Sequence, residues 1–297
     1  MGSLVAAAET MGALTPERVL AAIIKLRELP ASAPTVQKAL GMMEKEDFEV
    51  AKLKQVLVSD QALTARILRL ANSAYFGFRS EVRTVSQAIV LLGQKRIRTL
   101  LHRILSDKLL IELAQGHAAA APLRRTSLAT ATAACTMSQL LLREDAEELL
   151  LAGLLHNIGD FFFLSQFPAE FERVFQLGQF MERREAESTV FGITAARAGK
   201  LLLENWRFPP LFGTVAEHCD FPLHADCPAE FHQALALVYA GKKLAEAAAA
   251  KENAQQALQR IAPHVCQTFG LEPDLLTEVY QSLPERMSLE QLQAGRS

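Results

Sequence analysis

Asp145-Ala146-Glu147-Glu148-Leu149-Leu150-Leu151-Ala152-Gly153-Leu154-Leu155-His156-Asn157-Ile158-Gly159 is the stretch on which the fold turns. Asp145 followed three residues later by Glu148 has the spacing of a capping box, so a helix should begin here and run through Leu155. Its side chains are apolar nearly all round, and a helix with no polar face belongs at the centre of a bundle. Phe161-Phe162-Phe163-Leu164 extends that core. The two polar residues that interrupt it, His156 and Asn157, are therefore expected inside the protein.

Helical signals recur on both sides, and no run shows the period-2 alternation of a strand. Thr15-Pro16-Glu17-Arg18 opens a first helix with a capping residue and proline at the first position. Its apolar residues Val19, Leu20, Ile23, Ile24 and Leu26 fall mostly on one face. Leu29-Pro30 breaks it, and further helices are expected at Pro34–Glu44, Phe48–Val58 and Gln61–Ser73, the last capped by Asp60. Ser86–Leu92 and Arg96–Leu113 follow, punctuated at Gly93, with Leu63, Ile67, Leu70 and Leu91 as their core. The small, Ala-rich segment 115–122 reads as a hinge. Beyond it, helices are expected at Leu128–Leu142, Pro168–Arg184, Thr194–Glu204, Pro210–His218 and Phe231–Ala250, with shorter ones across Gln255–Phe269 and Asp274–Leu283. The expectation is an all-α protein of two packed helical halves. A tail (1–14) and a half spanning 15–114 come first. After the hinge come a second bundle (123–250) and a helical extension (251–297).

Composition narrows the function classes. The 297 residues carry 33 acids and 31 bases, a formal charge of −2, which argues against broad binding to a nucleic-acid backbone. Lys95, Arg96, Arg98, His102 and Arg103, with Arg124 and Arg125, form a basic cluster, but their helical azimuths differ and they read as a solvated face. Cys135, Cys219, Cys227 and Cys266 contain no C-x-x-C pair, which suits a reducing cytoplasm. The start lacks the basic and apolar regions of a secretory signal, and Ala6 spoils a myristoylation pattern. The apolar run Leu149–Leu155 is too short to span a bilayer, so no membrane partner is expected.

Several separated motifs carry a resemblance. Ser59-Asp60-Gln61-Ala62-Leu63-Thr64-Ala65-Arg66 leads into Leu70-Ala71-Asn72-Ser73-Ala74-Tyr75-Phe76-Gly77, then Thr84-Val85-Ser86-Gln87-Ala88-Ile89 and Leu91-Leu92-Gly93. Leu29-Pro30 precedes them. Gly153–Gly159, Phe191-Gly192 and Trp206-x-x-Pro209 follow in order. From roughly Ala22 to Asp220 the chain resembles the HD-related output domain (HDOD) family, similar to the metal-dependent HD phosphohydrolases.

The resemblance implies an HD-like second half and a place where divalent ions would be held. Such ions need neutral imidazoles and charged carboxylates to acidify a water. At the matching positions this chain has Thr126, His156, Asn157, Ala195 and His218. Asn157 stands where an aspartate would give charge, and Thr126 and Ala195 stand where histidines are common. Two imidazoles without a carboxylate make a poor site for a hard cation. The reading is of a vestigial site, with no catalytic residue, metal or cofactor. The protein would act as a signal-transduction output or adaptor module that binds a protein partner. A phosphohydrolase with an unusual metal site, or a binder of a cyclic nucleotide or other phosphate ligand, are the alternatives.

The bland readings of the same residues are a core histidine at His156, a cross-core hydrogen bond at Asn157 and structural caps at Asn72 and Ser73. A cluster of zinc-type residues, His218, Cys219, Asp220, His224, Asp226, Cys227 and His232, lacks paired spacing, and Pro222 and Pro228 suggest an irregular loop.

Overall fold

The computed structural model describes residues 14–26, 34–45, 49–72, 78, 80–141 and 146–295. Among them every regular element is helical. The N-terminal elements are α1 (Pro16–Lys25), α2 (Pro34–Met43), α3 (Val50–Val58), α4 (Gln61–Ala71) and α5 (Val85–Ala114). The rest are α6 (Ala120–Leu140), α7 (Ala146–Leu155), α8 (Ile158–Gln166), α9 (Pro168–Leu177), α10 (Arg183–Phe191), α11 (Ala195–Asn205), α12 (Pro210–His218), α13 (His232–Ala249), α14 (Ala254–Gln259), α15 (Pro263–Phe269) and α16 (Pro273–Gly295).

The motifs of the first half are structural devices. The Asp60 carboxylate accepts from Leu63 N at 2.9 Å and starts α4. Thr84 and Gln87 form a reciprocal capping box that starts α5. Asn72, at the end of α4, reaches across the connection: its Nδ2 donates to Leu68 O and Val82 O, and its Oδ1 accepts from Val82 N. It therefore fixes how the chain enters α5. Ser73, expected beside it as a cap, lies outside the described residues, as does Asp145.

Gly93 has φ of 74°, which breaks the helical phase within α5. Before that break Val85, Ala88, Ile89 and Leu92 form the buried face. Leu92 is 6% exposed, whereas Leu91, expected inside, is 47% exposed. On α1 the same correction applies, since Val19 and Ile23 are buried while Leu20 and Ile24 face outward.

In the second half, α6 is the hub. Its Ala-rich face lets neighbouring backbones approach: a Cβ at Gly153 would sit 2.7 Å from Ala131 N, and one at Gly241 would sit 2.8 Å from Thr130 O. Both α7 and α13 pack against α6 through these positions. Gly159 plays the same part where α8 crosses α11. Phe163 stacks on Phe191 with centroids 3.8 Å apart, a contact that adds about 0.5–1.5 kcal/mol beyond its buried area. Gly192 then caps α10 in the left-handed region, and its missing Cβ leaves room for Pro16 of α1. Helix α1 is held there by Leu14 N to Val190 O, Asn205 Nδ2 to Ile23 O and Trp206 Nε1 to Leu26 O at 2.6 Å. One buried apolar cluster runs from Leu14 to Leu283.

Some boundaries differ from the expectation. Helix α6 begins at Ala120 rather than Leu128, so Ala120-Ala121-Pro122 form its first turn instead of the end of a hinge. Proline at the third helical position costs little there, since the first N–H groups have no intrahelical partner. The expected helix Pro168–Arg184 ends at Leu177 as α9, and α10, which was not anticipated, begins at Arg183 and runs to Phe191. The final helix continues through Pro284 to Gly295, well past Leu283. Ala146–Gln166 is long and apolar enough to cross a membrane by composition, but it is two helices parted at His156-Asn157 and mostly buried in the fold.

Candidate functional site

A cleft of about 680 Å³ opens between α6, the α7–α8 junction, α10, α11 and α13. Thr126, His156, Asn157 and Ala195 line it, so four of the five positions singled out in the sequence converge. His218 is not among the lining residues. It stacks on His224 with ring centroids 5.5 Å apart, and its Nε2 lies 3.3 Å from Glu217 Oε2.

The polar atoms at the motif are engaged with the fold itself. His156 Nδ1 lies 2.7 Å from Gly153 O, a distance that makes it the protonated nitrogen. Burial pushes the imidazole down to about 4, and the Lys242 charge adds to the shift, so the ring is neutral at physiological pH. Asn157 Oδ1 accepts from Ser127 Oγ at 2.7 Å, and its Nδ2 donates to Leu123 O at 3.4 Å. The side chain thereby ties α6 to the start of α8. Thr126 Oγ1 donates to Pro122 O within its own helix. Ala195 brings only a methyl group and its backbone N–H.

That N–H donates to Glu187 Oε2 at 2.8 Å. Glu187 also accepts from Arg183 Nε at 2.9 Å, and Arg183 Nη2 pairs with Asp160. Asp160 raises the affinity of Arg183 for its proton. Burial pushes the Glu187 carboxyl up, with Asp160 adding to the shift. On the opposite wall Lys242 Nζ lies 2.5 Å from Asp220 Oδ1. Arg184 sits 4.8 Å over the Phe221 ring. Sequence reasoning missed Asp160, Arg183, Glu187 and Lys242. The available signal was a charge set into an apolar run: Asp160 beside Phe161-Phe162-Phe163, and Lys242 within an Ala-rich helix.

These donors do not fit a divalent ion. Such an ion needs charged oxygen ligands beside the imidazole. Asn157 is neutral and spends both of its polar atoms on α6, while the nearby Asp220 carboxylate is held by a lysine. Among the described residues no group of three or more His, Cys, Asp or Glu side chains is assembled to hold a metal. The zinc-type cluster is likewise dispersed. Asp220 pairs with Lys242, His232 Nε2 lies 3.0 Å from Cys227 O, and Cys227 Sγ lies against Pro228 O.

The basic cluster on α5 is also not one surface. Lys95 pairs with Glu148 at 3.2 Å, and His102 is buried 4.9 Å from the Phe208 ring. Burial pushes His102 down to about 4, which leaves it neutral in the core.

Fold and cleft together define an all-helical domain with a polar cleft at the junction of α7 and α8. The sequence profile of the HDOD domain matches residues 29–221, and the chain belongs to that family. It is 25% identical over 219 residues to an uncharacterized protein of Treponema pallidum, a match covering 71% of this chain and 40% of the relative's length. The chain thus spans well under half of that relative. Among solved structures it is similar to a candidate phosphohydrolase of Shewanella amazonensis (TM-score 0.66, 22% identity, 93% of this chain and 97% of that one). An HDOD domain protein of unknown function from Geobacter sulfurreducens is also similar (TM-score 0.64, 19% identity, 93% and 98% covered). At these identities the likeness extends to the fold alone.

Proposed function

We propose that this chain is a non-catalytic output or adaptor module of bacterial signal transduction, acting in the cytoplasm by binding a protein partner. The observation that carries the reading is the engagement of the motif's polar atoms. Asn157 is neutral and consumed by Ser127 and Leu123, Asp220 is paired with Lys242, and among the described residues no three candidate ligands are assembled to hold a metal. Hydrolysis of a phosphate ester in this family's manner needs that metal to make a nucleophile from water. A phosphate ligand is disfavoured as well. The lining sets Arg183, Arg184, Lys242 and Lys243 against Asp160, Glu182, Glu187, Asp220 and Glu246, which leaves no surplus of positive charge. Four free thiols are in keeping with a reducing compartment.

His156→Gln tests the reading. Glutamine can donate to Gly153 O as the imidazole does, so the melting temperature should stay within about 3 °C of wild type, a shift that corresponds to ~1 kcal/mol. Cellular output and partner capture should be unchanged. A variant that melts normally but loses its output would make the cleft a working site and overturn the adaptor reading.

A further inference from the structure

The cleft already contains a cation. Lys242 follows Gly241, a position at which α13 packs tightly on α6, and it lines the same cleft as His156, Asn157, Cys219 and Asp220. Its Nζ lies 2.5 Å from Asp220 Oδ1, with the two side chains only 20% and 33% exposed. Burial opposes the charge on Lys242, but its anionic surroundings outweigh that opposition and hold the ammonium above the usual lysine range. The Cys219 thiol is itself pushed up to about 11 by burial and stays protonated, so Asp220, which also accepts a hydrogen bond, and after it Glu246 are the anions that do this at neutral pH. Burial alone would raise the Asp220 carboxyl, yet Lys242 holds it below the ordinary aspartate range. Each group keeps the other ionised.

The donor set beside this pair was found unfit for a divalent ion, and the pair supplies the reason the cleft does without one. A metal there would compete with Lys242 for Asp220 and sit beside a buried ammonium, next to neutral His156 and Asn157, while Asp160 and Glu187 are already paired with Arg183. We propose that the Lys242 ammonium, anchored by Asp220, is a permanent cation beside His156 and Asn157: it takes the electrostatic place of a metal ion and lets this part of the cleft keep its shape without one. A charge fixed to the backbone cannot exchange, carry an open coordination position or acidify a water. It stabilises the cleft and does no chemistry.

Thermal melts of the full chain test this with three variants. Lys242→Ala leaves space for a small cation, whereas Lys242→Met fills the space without charge. Both strand the Asp220 carboxylate, and each should melt lower by about 5 °C or more, allowing for the partial exposure of the pair. Methylammonium chloride at tens of millimolar should return at least half of the loss to Lys242→Ala and none to Lys242→Met. Potassium chloride at equal ionic strength should help neither. Lys242→Met combined with Asp220→Asn should recover most of the stability, because no uncompensated charge remains. The proposal is overturned if Lys242→Met melts like wild type, or if potassium rescues Lys242→Ala as well as methylammonium does. It is also overturned if manganese or zinc raises the melting temperature of the wild-type protein in a way that His156→Ala abolishes. Partner capture by the same variants reports separately on the binding reading, which can stand or fall whatever holds the cleft open.

Discussion

Gly159→Ala is expected to unfold the second half of the protein, although it adds a single carbon. Gly159 lies where α8 crosses α11. A Cβ there would fall well inside contact of the Ala195 carbonyl oxygen, 2.7 Å from its carbonyl carbon and 2.9 Å from Gly199 N. Every one of these atoms is backbone, so no rotamer change relieves the overlap and the two helices must separate. Separation would break the hydrogen bond from Ala195 N to Glu187 and loosen the Phe163–Phe191 stack. Ordinary overpacking costs about 1–3 kcal/mol. A rigid backbone overlap should exceed that and reach the range above ~4 kcal/mol that single substitutions seldom show. Gly41→Ala is the control: it is helical, meets nothing within 4 Å, and should raise stability by up to about 1 kcal/mol. Circular-dichroism melts of the pair decide the matter. A Gly159→Ala protein that melts within a few degrees of wild type would mean that the helix crossing is looser than described.

The second large effect is expected from Leu70→Asp. Leu70 is buried with Leu63 and Ile67 on the face of α4 that packs against α5. An ionised side chain without a partner cannot remain there, so the N-terminal half should lose its packing at a cost of ~4 kcal/mol or more. Partner capture should be lost with it. Trp206, the single tryptophan, lies in the second half at the contact with α1 and offers a separate probe. A far-UV signal that melts early, together with failed capture, is the expected outcome. Normal capture by Leu70→Asp would remove the N-terminal half from the binding surface.

What could be read in the sequence was what depends on local chemistry. The N-cap at Asp60, the apolar stretch of α7 and the order of the motifs follow from residue types at short spacing, and the helical fold follows from them. Periodicity serves less well where neighbouring leucines compete for one face: Ile89 and Leu92 take the buried positions and leave Leu91 outside. The chain also turns after Gly178, so that α9 ends well before the expected Arg184. The site was legible in the same measure. Thr126, His156, Asn157 and Ala195 could be aligned by motif because they sit within recognisable runs. Lys242 and Glu187 could not, because what each does in the cleft depends on a partner distant in sequence: Asp220 for the first, and for the second the Ala195 N–H that it holds besides its neighbour Arg183. Such pairs exist only once α11 and α13 have docked.

Metal content of the protein purified without chelator is the most direct measurement of whether this HDOD chain is a binding module rather than a hydrolase. Elemental analysis should find iron, manganese, zinc and magnesium each far below one atom per chain, and His156→Ala should not change that. A stoichiometric divalent metal that His156→Ala removes would contradict the account: the cleft would then be a metal site, and Lys242 would have to leave Asp220 to admit it.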